Sequence, residues 1–136
     1  MRTREVSLDT GGEASLTDLT GACAGFLAEV DAEDGLLTVF VPHATAGIVV
    51  VELGAGSEED VLAALERLLP HDDRWRHRHG SPGHGADHVL PLLAAPSLTV
   101  PVVGGRMTLG TWQSIALLDP NADHPRRAVR LSFVPG

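Results

Sequence analysis

The stretch "GLLTVFVPHATAGIVVVEL", Gly35 to Leu53, contains two dense runs of aliphatic residues separated by a short polar break. Because β-branched and other aliphatic side chains at this density are typical of buried strands, we predict strands at about 35–42 and 47–53. His43 ends the first run and Glu52 nearly ends the second. Polar side chains at strand ends stand on a rigid frame, so both are candidate site residues. A histidine held in a turn and a solvated glutamate are the alternative.

The segments on either side predict further strands and a smaller number of helices. The predicted elements are an edge strand at 3–8, an amphipathic helix at 17–31 capped by Thr17 or Ser15, a helix capped by Ser57 and stopped by Pro70, a short helix near Asp87, a β meander over 97–119 and a last strand from Arg126. Helices set apart from a mainly antiparallel run of strands indicate the α+β class. A chain of 136 residues fits one domain, residues 1–136.

Composition excludes several classes of partner. The formal net charge of −8 argues against binding along a nucleic-acid backbone, which needs a basic face. No apolar run approaches the roughly 20 residues of a membrane span, so we expect no membrane partner. The single cysteine, Cys23, cannot form a bridge within the chain, and the first residues lack the apolar region of a signal peptide. We therefore expect a cytoplasmic protein.

The segment "HDDRWRHRHGSPGHGADH", His71 to His88, holds five of the seven histidines. Imidazole transfers protons near neutral pH and is the commonest metal ligand, so His77 and His88 are candidates for either role. His84 and His88 have the i, i+4 spacing of one helix face, but Gly85 makes a helix there doubtful. An exposed, mobile loop is the alternative interpretation.

Two further segments have side chains that suit ligand binding. Thr111, Trp112 and Gln113 lie in "LGTWQ", where a flat apolar ring next to an amide suits a heteroaromatic ligand with polar edges. Arg126 and Arg127 could hold a phosphate through bidentate hydrogen bonds. The alternatives are a core tryptophan beside a surface glutamine, and ordinary surface charge at the start of a strand.

Taken in order along the chain, these fragments resemble the YjbQ-like family, often described as secondary thiamine-phosphate synthases. His43-Ala44-Thr45-Ala46 followed by Glu52 resembles the family's H-T-[ST]-A-x(5)-E signature. His77 and His88, eleven residues apart, resemble its loop and helix-start histidines. The segment "PSLTVPVVGGRMTLGTWQSIALLD" and the pair Arg126-Arg127 also resemble family blocks. The chain departs from the pattern in having Ala44, Val51 and Ala86 where the family carries Thr, Asn and His.

The resemblance implies a single-domain β-sandwich with helices on its outside and a homotrimer whose site lies near a subunit boundary. It implies an enzyme that joins a pyrimidine pyrophosphate to a thiazole phosphate. The residues that it implies for catalysis are His43, His77, His88 and Glu52, with the same three histidines as metal ligands. Those that it implies for substrate binding are Thr45, Thr111, Trp112, Gln113 and Arg127.

Three hypotheses follow: an enzyme acting on a small phosphorylated molecule, a protein that binds a metal or phosphate ligand without catalysis, and histidines that stabilise the trimer. The expected occupant of the site is a divalent metal, and the alternative is an anion held by protonated imidazoles. Three imidazoles suit zinc or another transition metal, whereas Mg²⁺, which the synthase reaction would use, prefers oxygen ligands. We expect His71, His79 and His124 to be replaceable with little effect.

Overall fold

A computed structural model describes all residues, 1–136, and consists of two antiparallel sheets, two helices and two 3-10 turns. The strands are β1 Arg2–Asp9, β2 Ser15–Asp18, β3 Gly35–Phe40, β4 Gly47–Val51, β5 Ser97–Val103, β6 Arg106–Met107, β7 Ser114–Asp119 and β8 Arg126–Pro135. The helices are α1 Thr20–Glu29 and α2 Ser57–Leu68, and the 3-10 turns are His84–Ala86 and Leu90–Leu92. None of the helices is both long and apolar enough to cross a membrane.

The two sheets pack face to face, which confirms the predicted α+β sandwich. One sheet has the strand order β1-β8-β3-β5-β6 and the other has β2-β7-β4, with every pair antiparallel. Val39 and Leu131 of the larger sheet and Ile115 of the smaller sheet are buried in one core, together with Phe26 of α1. Burial of alternate side chains along each strand removes their apolar surface from water and stabilises the sandwich.

A second, smaller core lies on the other face of the small sheet. Leu65 of α2, Leu90 of the second 3-10 turn and Leu118 of β7 are buried in it. Trp75 packs against the same cluster and donates a hydrogen bond from Nε1 to the carbonyl of Pro70 at 2.8 Å. The long connection between α2 and β5 is therefore anchored to the sandwich rather than free in solvent.

The predicted helix over 17–31 is wrong at its beginning. Ser15–Asp18 is strand β2, which pairs with β7, and α1 begins only at Thr20. Neither Ser15 nor Thr17 caps the helix; Leu19 precedes it, and Asp18 Oδ1 accepts the Thr20 N–H at 2.9 Å. The pairing of β2 with β7 satisfies backbone groups that a longer helix would have bonded internally.

Three other predicted elements also need correction. Ser57 is the first residue of α2, and Gly56, with φ of 88°, precedes it in the left-handed region. The short helix near Asp87 is two separate 3-10 turns, and Pro91 lies at the start of the second. The β meander is wrong because β6 pairs only with β5 in the large sheet, whereas β7 lies in the small sheet. The exposed turn 108–113 crosses between the two sheets.

Candidate functional site

Three connections meet at one end of the sandwich and line an open cavity of about 590 Å³. They are the β3–β4, α2–β5 and β7–β8 connections, and they bring together residues far apart in sequence. Six of the seven histidines line this space, which we call the histidine cavity. Those six are His43, His77, His79, His84, His88 and His124.

Three of these imidazoles converge closely enough to bind one metal ion. One ring nitrogen from each of His77, His84 and His88 lies within 4.8 Å of the others. The Nε2 atoms of His84 and His88 are 3.0 Å apart. In a tetrahedral zinc site, bonds of about 2.0–2.1 Å place ligand nitrogens about 3.3 Å apart. The pair already has this spacing, and His77 would need to approach by at most about 1.5 Å to complete the set.

The composition of this trio differs from the sequence-based assignment of His43, His77 and His88. His84 stands in the cluster with His77 and His88, and His43 does not belong to it. His43 lines the same cavity, but its Nε2 accepts a hydrogen bond from the Ala128 N–H at 3.0 Å. The lone pair that a metal would need at Nε2 is therefore already used.

His84 is held between two carboxylates. Its Nδ1 lies 3.2 Å from Asp123 Oδ2 and 3.4 Å from Asp87 Oδ2, within ion-pair range. Neither oxygen is aligned for a hydrogen bond, so Nδ1 is a buried polar atom without a hydrogen-bond partner. Metal-binding histidines commonly present the second ring nitrogen to a carboxylate, which fixes the tautomer and leaves the other nitrogen for the ion. The environment of His84 fits that arrangement.

Desolvation and the neighbouring imidazoles favour the neutral form of His77 and His88. Desolvation, with the neighbouring His79 and His84, lowers the pKa of His77 below its ordinary value. Desolvation, with His77 and His84, lowers the pKa of His88 in the same way, against a smaller opposing effect of Asp87. Neutral imidazole is the form that binds metal ions. The donor set, and the lowered pKa values of His77 and His88, thus fit a zinc-class ion.

Glycines allow the loop to fold this tightly. Gly80 and Gly83 have φ of 94° and 80°, in the left-handed region. A Cβ at Gly83 would collide with the backbone of His71, and one at Gly85 would collide with the side chain of Trp75. Ser81 N–H donates to Asp123 Oδ2 at 3.0 Å and joins this loop to the β7–β8 connection.

Thr45 and Arg127 lie in the wall of the cavity and are buried. Arg127, only 3% exposed, donates from Nε and Nη2 to the two carboxylate oxygens of Asp119 at 2.7 and 2.9 Å. Nη2 also donates to Thr45 Oγ1 at 3.0 Å, and Asn121 Nδ2 donates to the same oxygen at 2.8 Å. This network fixes the wall, and Arg127 is not the surface charge that the alternative interpretation described.

The structure does not bring the other predicted site residues to the cavity within one chain. Glu52 is exposed just after β4 and does not line the cavity. Thr111, Trp112 and Gln113 form an exposed turn in which Gln113 Oε1 accepts the Gly110 N–H at 2.8 Å. Trp112 is 74% exposed, so it is not a core tryptophan.

Sequence reasoning missed several residues that contact the cluster. His71 hydrogen-bonds to Glu66 and Asp87, so it is not a surface histidine without partners. Asp87 and Asp123 flank His84, and the ring of His79 lies tilted against that of His77, with centroids 4.1 Å apart. The i, i+4 spacing of His84 and His88 was the available signal for the pair.

Comparisons with known proteins agree with this architecture. The family model described as "UPF0047 protein YjbQ-like" matches residues 4–136. A UPF0047 protein of Mycobacterium tuberculosis strain H37Rv is 59% identical over 136 residues, which cover 100% of both chains. The crystal structure of a hypothetical protein from Aeropyrum pernix K1 is 31% identical, with a TM-score of 0.90 and 100% of both chains covered. A YbjQ-like protein from Sulfolobus solfataricus P2 is 22% identical, with a TM-score of 0.92 and 99% and 97% of the chains covered, and shows the shared fold.

Proposed function

The chain belongs to the UPF0047 (YjbQ-like) family, and from that premise we propose that it is an enzyme that binds a zinc-class ion and acts on a small phosphorylated molecule. The observation that carries the proposal is the convergence of His77, His84 and His88, whose nitrogens lie within 4.8 Å of one another. Imidazole ligands suit zinc and later transition metals better than Mg²⁺. We therefore infer that these three residues hold the ion.

Three protein ligands are the number found in catalytic zinc sites, where one coordination position faces the ligand. When bound, the ion would supply Lewis acidity to an oxygen of the ligand. The histidine cavity, about 590 Å³ in volume, lies within the range of small-molecule sites, about 300–1,000 Å³. These features favour catalysis over a closed structural metal site.

Local positive charge supports a phosphorylated ligand in spite of the net charge of −8. Arg127 lines the histidine cavity. Arg126 is exposed on the adjacent part of β8. Arginine is well suited to phosphate because its planar guanidinium presents several N–H donors.

The synthase reaction implied by the resemblance is one specific candidate within this proposal. It would join a pyrimidine pyrophosphate to a thiazole phosphate with loss of pyrophosphate. A magnesium-dependent reaction of this kind fits the three imidazoles poorly, since Mg²⁺ prefers oxygen ligands. We therefore propose that this substrate pair be tested with zinc, cobalt and manganese as well as with magnesium.

The predicted site residues that lie outside the cavity of their own chain would take part in the site only if the protein is a homotrimer, which we propose. Trp112 is 74% exposed, and Glu52 is also exposed outside the cavity. A large exposed aromatic side chain commonly marks an interaction site. We propose that the turn carrying Thr111, Trp112 and Gln113 reaches the cavity of a neighbouring subunit.

A cytoplasmic location, consistent with the free thiol of Cys23, is part of the same proposal.

Metal titration followed by substrate screening tests the proposed function. We expect one zinc per chain in protein first stripped of metal. His84→Ala removes a ligand and should weaken zinc binding by more than the roughly ten- to hundredfold that loss of an outer-shell partner costs, while His124→Ala should leave it nearly unchanged. Zinc-loaded protein should then turn over phosphorylated pyrimidines, thiazoles or related phosphate esters.

Four results would contradict this function. If the folded protein binds no transition metal, or if His84→Ala binds it as tightly as the unsubstituted protein, the metal site is not where we place it. If zinc and phosphorylated ligands bind but no turnover is found, the protein is a binding protein without catalysis. Dissociation of an oligomer by His88→Ala, with zinc absent, would instead favour the structural role.

A further inference from the structure

A second cavity of about 500 Å³ adjoins the histidine cavity and shares two of its lining residues, His43 and Arg127. Its other lining residues come from β1 and β8, and among them Arg126 is exposed. We call this space the strand cavity. Because two side chains belong to both walls, a ligand in one space can be contacted from the other.

The tautomer of His43 follows from a single hydrogen bond. Its Nε2 accepts the Ala128 N–H at 3.0 Å, so Nε2 carries no proton. A neutral imidazole then carries its proton on Nδ1, which makes no hydrogen bond within the chain. Desolvation and the nearby Arg127 guanidinium lower the pKa of His43, which keeps the ring neutral at pH 7 against the opposing effect of Asp119. His43 thus offers one N–H donor.

Two arginines add donors on the same walls. Arg127 uses Nε and Nη2 for Asp119 and Thr45, while its Nη1 makes no hydrogen bond within the chain. Arg126 makes neither an ion pair nor a hydrogen bond through its side chain. The one acidic side chain that lines the strand cavity, Asp9, accepts the Gly11 N–H at 2.9 Å.

We propose that His43, Arg126 and Arg127 form an anion subsite for the phosphate group of a phosphate monoester, in which His43 is a neutral Nδ1–H donor and not a metal ligand. This deepens the proposed function and rests on it for the ion in the adjoining cavity. The subsite itself needs no metal. The ester would span the shared wall, with its phosphate on the strand-cavity side and the rest of the molecule toward the three imidazoles.

Phosphate fits these donors for two reasons. A phosphate monoester presents several anionic oxygens, and guanidinium and imidazole N–H groups bind such oxygens through charge-assisted hydrogen bonds. A neutral donor beside two cations also suits a ligand whose protonation changes near pH 6, because the N–H is present whether the ligand carries one charge or two. Inorganic phosphate is therefore a sufficient probe of the subsite.

The test titrates inorganic phosphate into metal-free protein, followed by ³¹P NMR or calorimetry. His43→Ala and Arg126→Ala should each weaken phosphate binding by about tenfold or more, as expected for loss of a donor to an anion. His43→Asn, whose side-chain amide can supply an N–H near the Nδ1 position, should recover part of that loss. Arg130→Ala, on the same strand but paired with Glu5, is the matched control and should bind phosphate as the unsubstituted protein does.

Zinc titration of the same variants separates this inference from the proposed function. His43→Ala should keep its zinc affinity within about threefold, whereas His77→Ala should lose it. In ¹⁵N spectra of the metal-free protein, His43 should show a protonated Nδ1 and an unprotonated Nε2, and zinc should leave that Nε2 signal in place.

Three results would overturn the inference: unchanged phosphate affinity in His43→Ala, loss of zinc in that variant comparable to His77→Ala, or a proton on Nε2 of His43. The first and the third leave the zinc site of His77, His84 and His88 standing, whereas the second would make His43 part of the metal site and would change the proposed ligand set as well. Conversely, phosphate binding that depends on His43 and Arg126 in a protein that binds no zinc would support the subsite while refuting the proposed function.

Discussion

His71 Nε2 lies 2.6 Å from Oδ1 of Asp87, a carboxylate that is only 2% exposed and whose other oxygen faces His84. The other ring nitrogen of His71 lies 2.8 Å from Glu66 Oε2 at the end of α2. Burial raises the pKa of Asp87, and the hydrogen bond from His71 opposes that rise. A continuous polar connection therefore links a helix end to the imidazole cluster.

Asp87→Asn should weaken zinc binding by about ten- to a hundredfold, the usual cost of removing a carboxylate that supports a metal-binding histidine. The amide keeps the shape of the side chain but removes the charge that orients His84. Competition against a chelator would measure the affinity. Asp73→Asn, an exposed carboxylate in the same loop, is the control, and equal affinities for the two variants would contradict the role given to Asp87.

Arg127→Met should destabilise the fold by about 3–5 kcal/mol, because it leaves the fully buried Asp119 carboxylate without its cation. Urea unfolding would measure the change. Arg130→Ala removes an exposed ion pair with Glu5 and should cost about 1 kcal/mol or less. Replacing Asp119 by Leu in the Arg127→Met background should restore part of the lost stability, and a double variant less stable than Arg127→Met would refute this explanation.

Gly83→Ala should disturb the histidine cavity more than Gly54→Ala does. Both glycines have positive φ, 80° and 93°, so both substitutions carry a left-handed strain of about 1–2 kcal/mol. Only at Gly83 would the added Cβ collide with the backbone of His71, whereas nothing lies within 4 Å at Gly54. We expect weaker zinc binding in Gly83→Ala alone, measured at a temperature where both proteins are folded.

Metal-free protein should lose stability as the pH falls from about 7.5 to about 5.5. The lowered pKa values of His77 and His88 mean that the unfolded chain takes up protons first, at about pH 6.5, which favours unfolding. Thermal unfolding at the two pH values would measure the decrease in stability. Replacing both His77 and His88 by alanine should make this decrease smaller.

His71 should act in the opposite direction. Desolvation lowers its pKa, but hydrogen bonds to Glu66 and Asp87 outweigh that effect, so the pKa lies above its ordinary value. Its contribution to stability is complete below the unfolded pKa of about 6.5 and disappears as the pH rises through the folded value. His71→Ala should therefore steepen the loss on acidification, and a shallower loss would contradict this sign.

Trp112→Ala should shift the protein to smaller species in light scattering coupled to size-exclusion chromatography, if the exposed turn is a subunit contact. Removal of a large exposed aromatic side chain from an interface commonly costs 2 kcal/mol or more of binding energy, about a thirtyfold loss of affinity. Leu92→Ala, at another large and 83% exposed side chain, is the control. Monomeric protein before any substitution would refute the trimer directly.

The strands were predictable where side-chain composition alone determines burial. Both β3 and β4 lie inside the predicted ranges, because their aliphatic residues pack between the sheets. Strand β2 was not predictable in this way. Leu16 and Leu19 have helical spacing and merge with the apolar positions of α1, and only the pairing with β7 decides that Ser15–Asp18 is extended.

The site was predictable as a group of imidazoles but not in its exact membership. Which rings meet depends on turns at Gly80 and Gly83 and on the packing of Trp75, none of which changes the spacing of the histidines. The hydrogen bond that withdraws His43 from the trio comes from Ala128, 85 residues away. A contact between residues so far apart in sequence depends on the tertiary structure and cannot be inferred from residue spacing.

Six imidazoles around one opening also have a practical consequence at the bench. The untagged protein should be retained on immobilised nickel or cobalt resin, and imidazole used for elution would compete for the cavity itself. A polyhistidine tag would supply a rival set of ligands for any ion added later. The metal stoichiometry measured on tagged protein would then include ions bound by the tag as well as ions bound in the cavity.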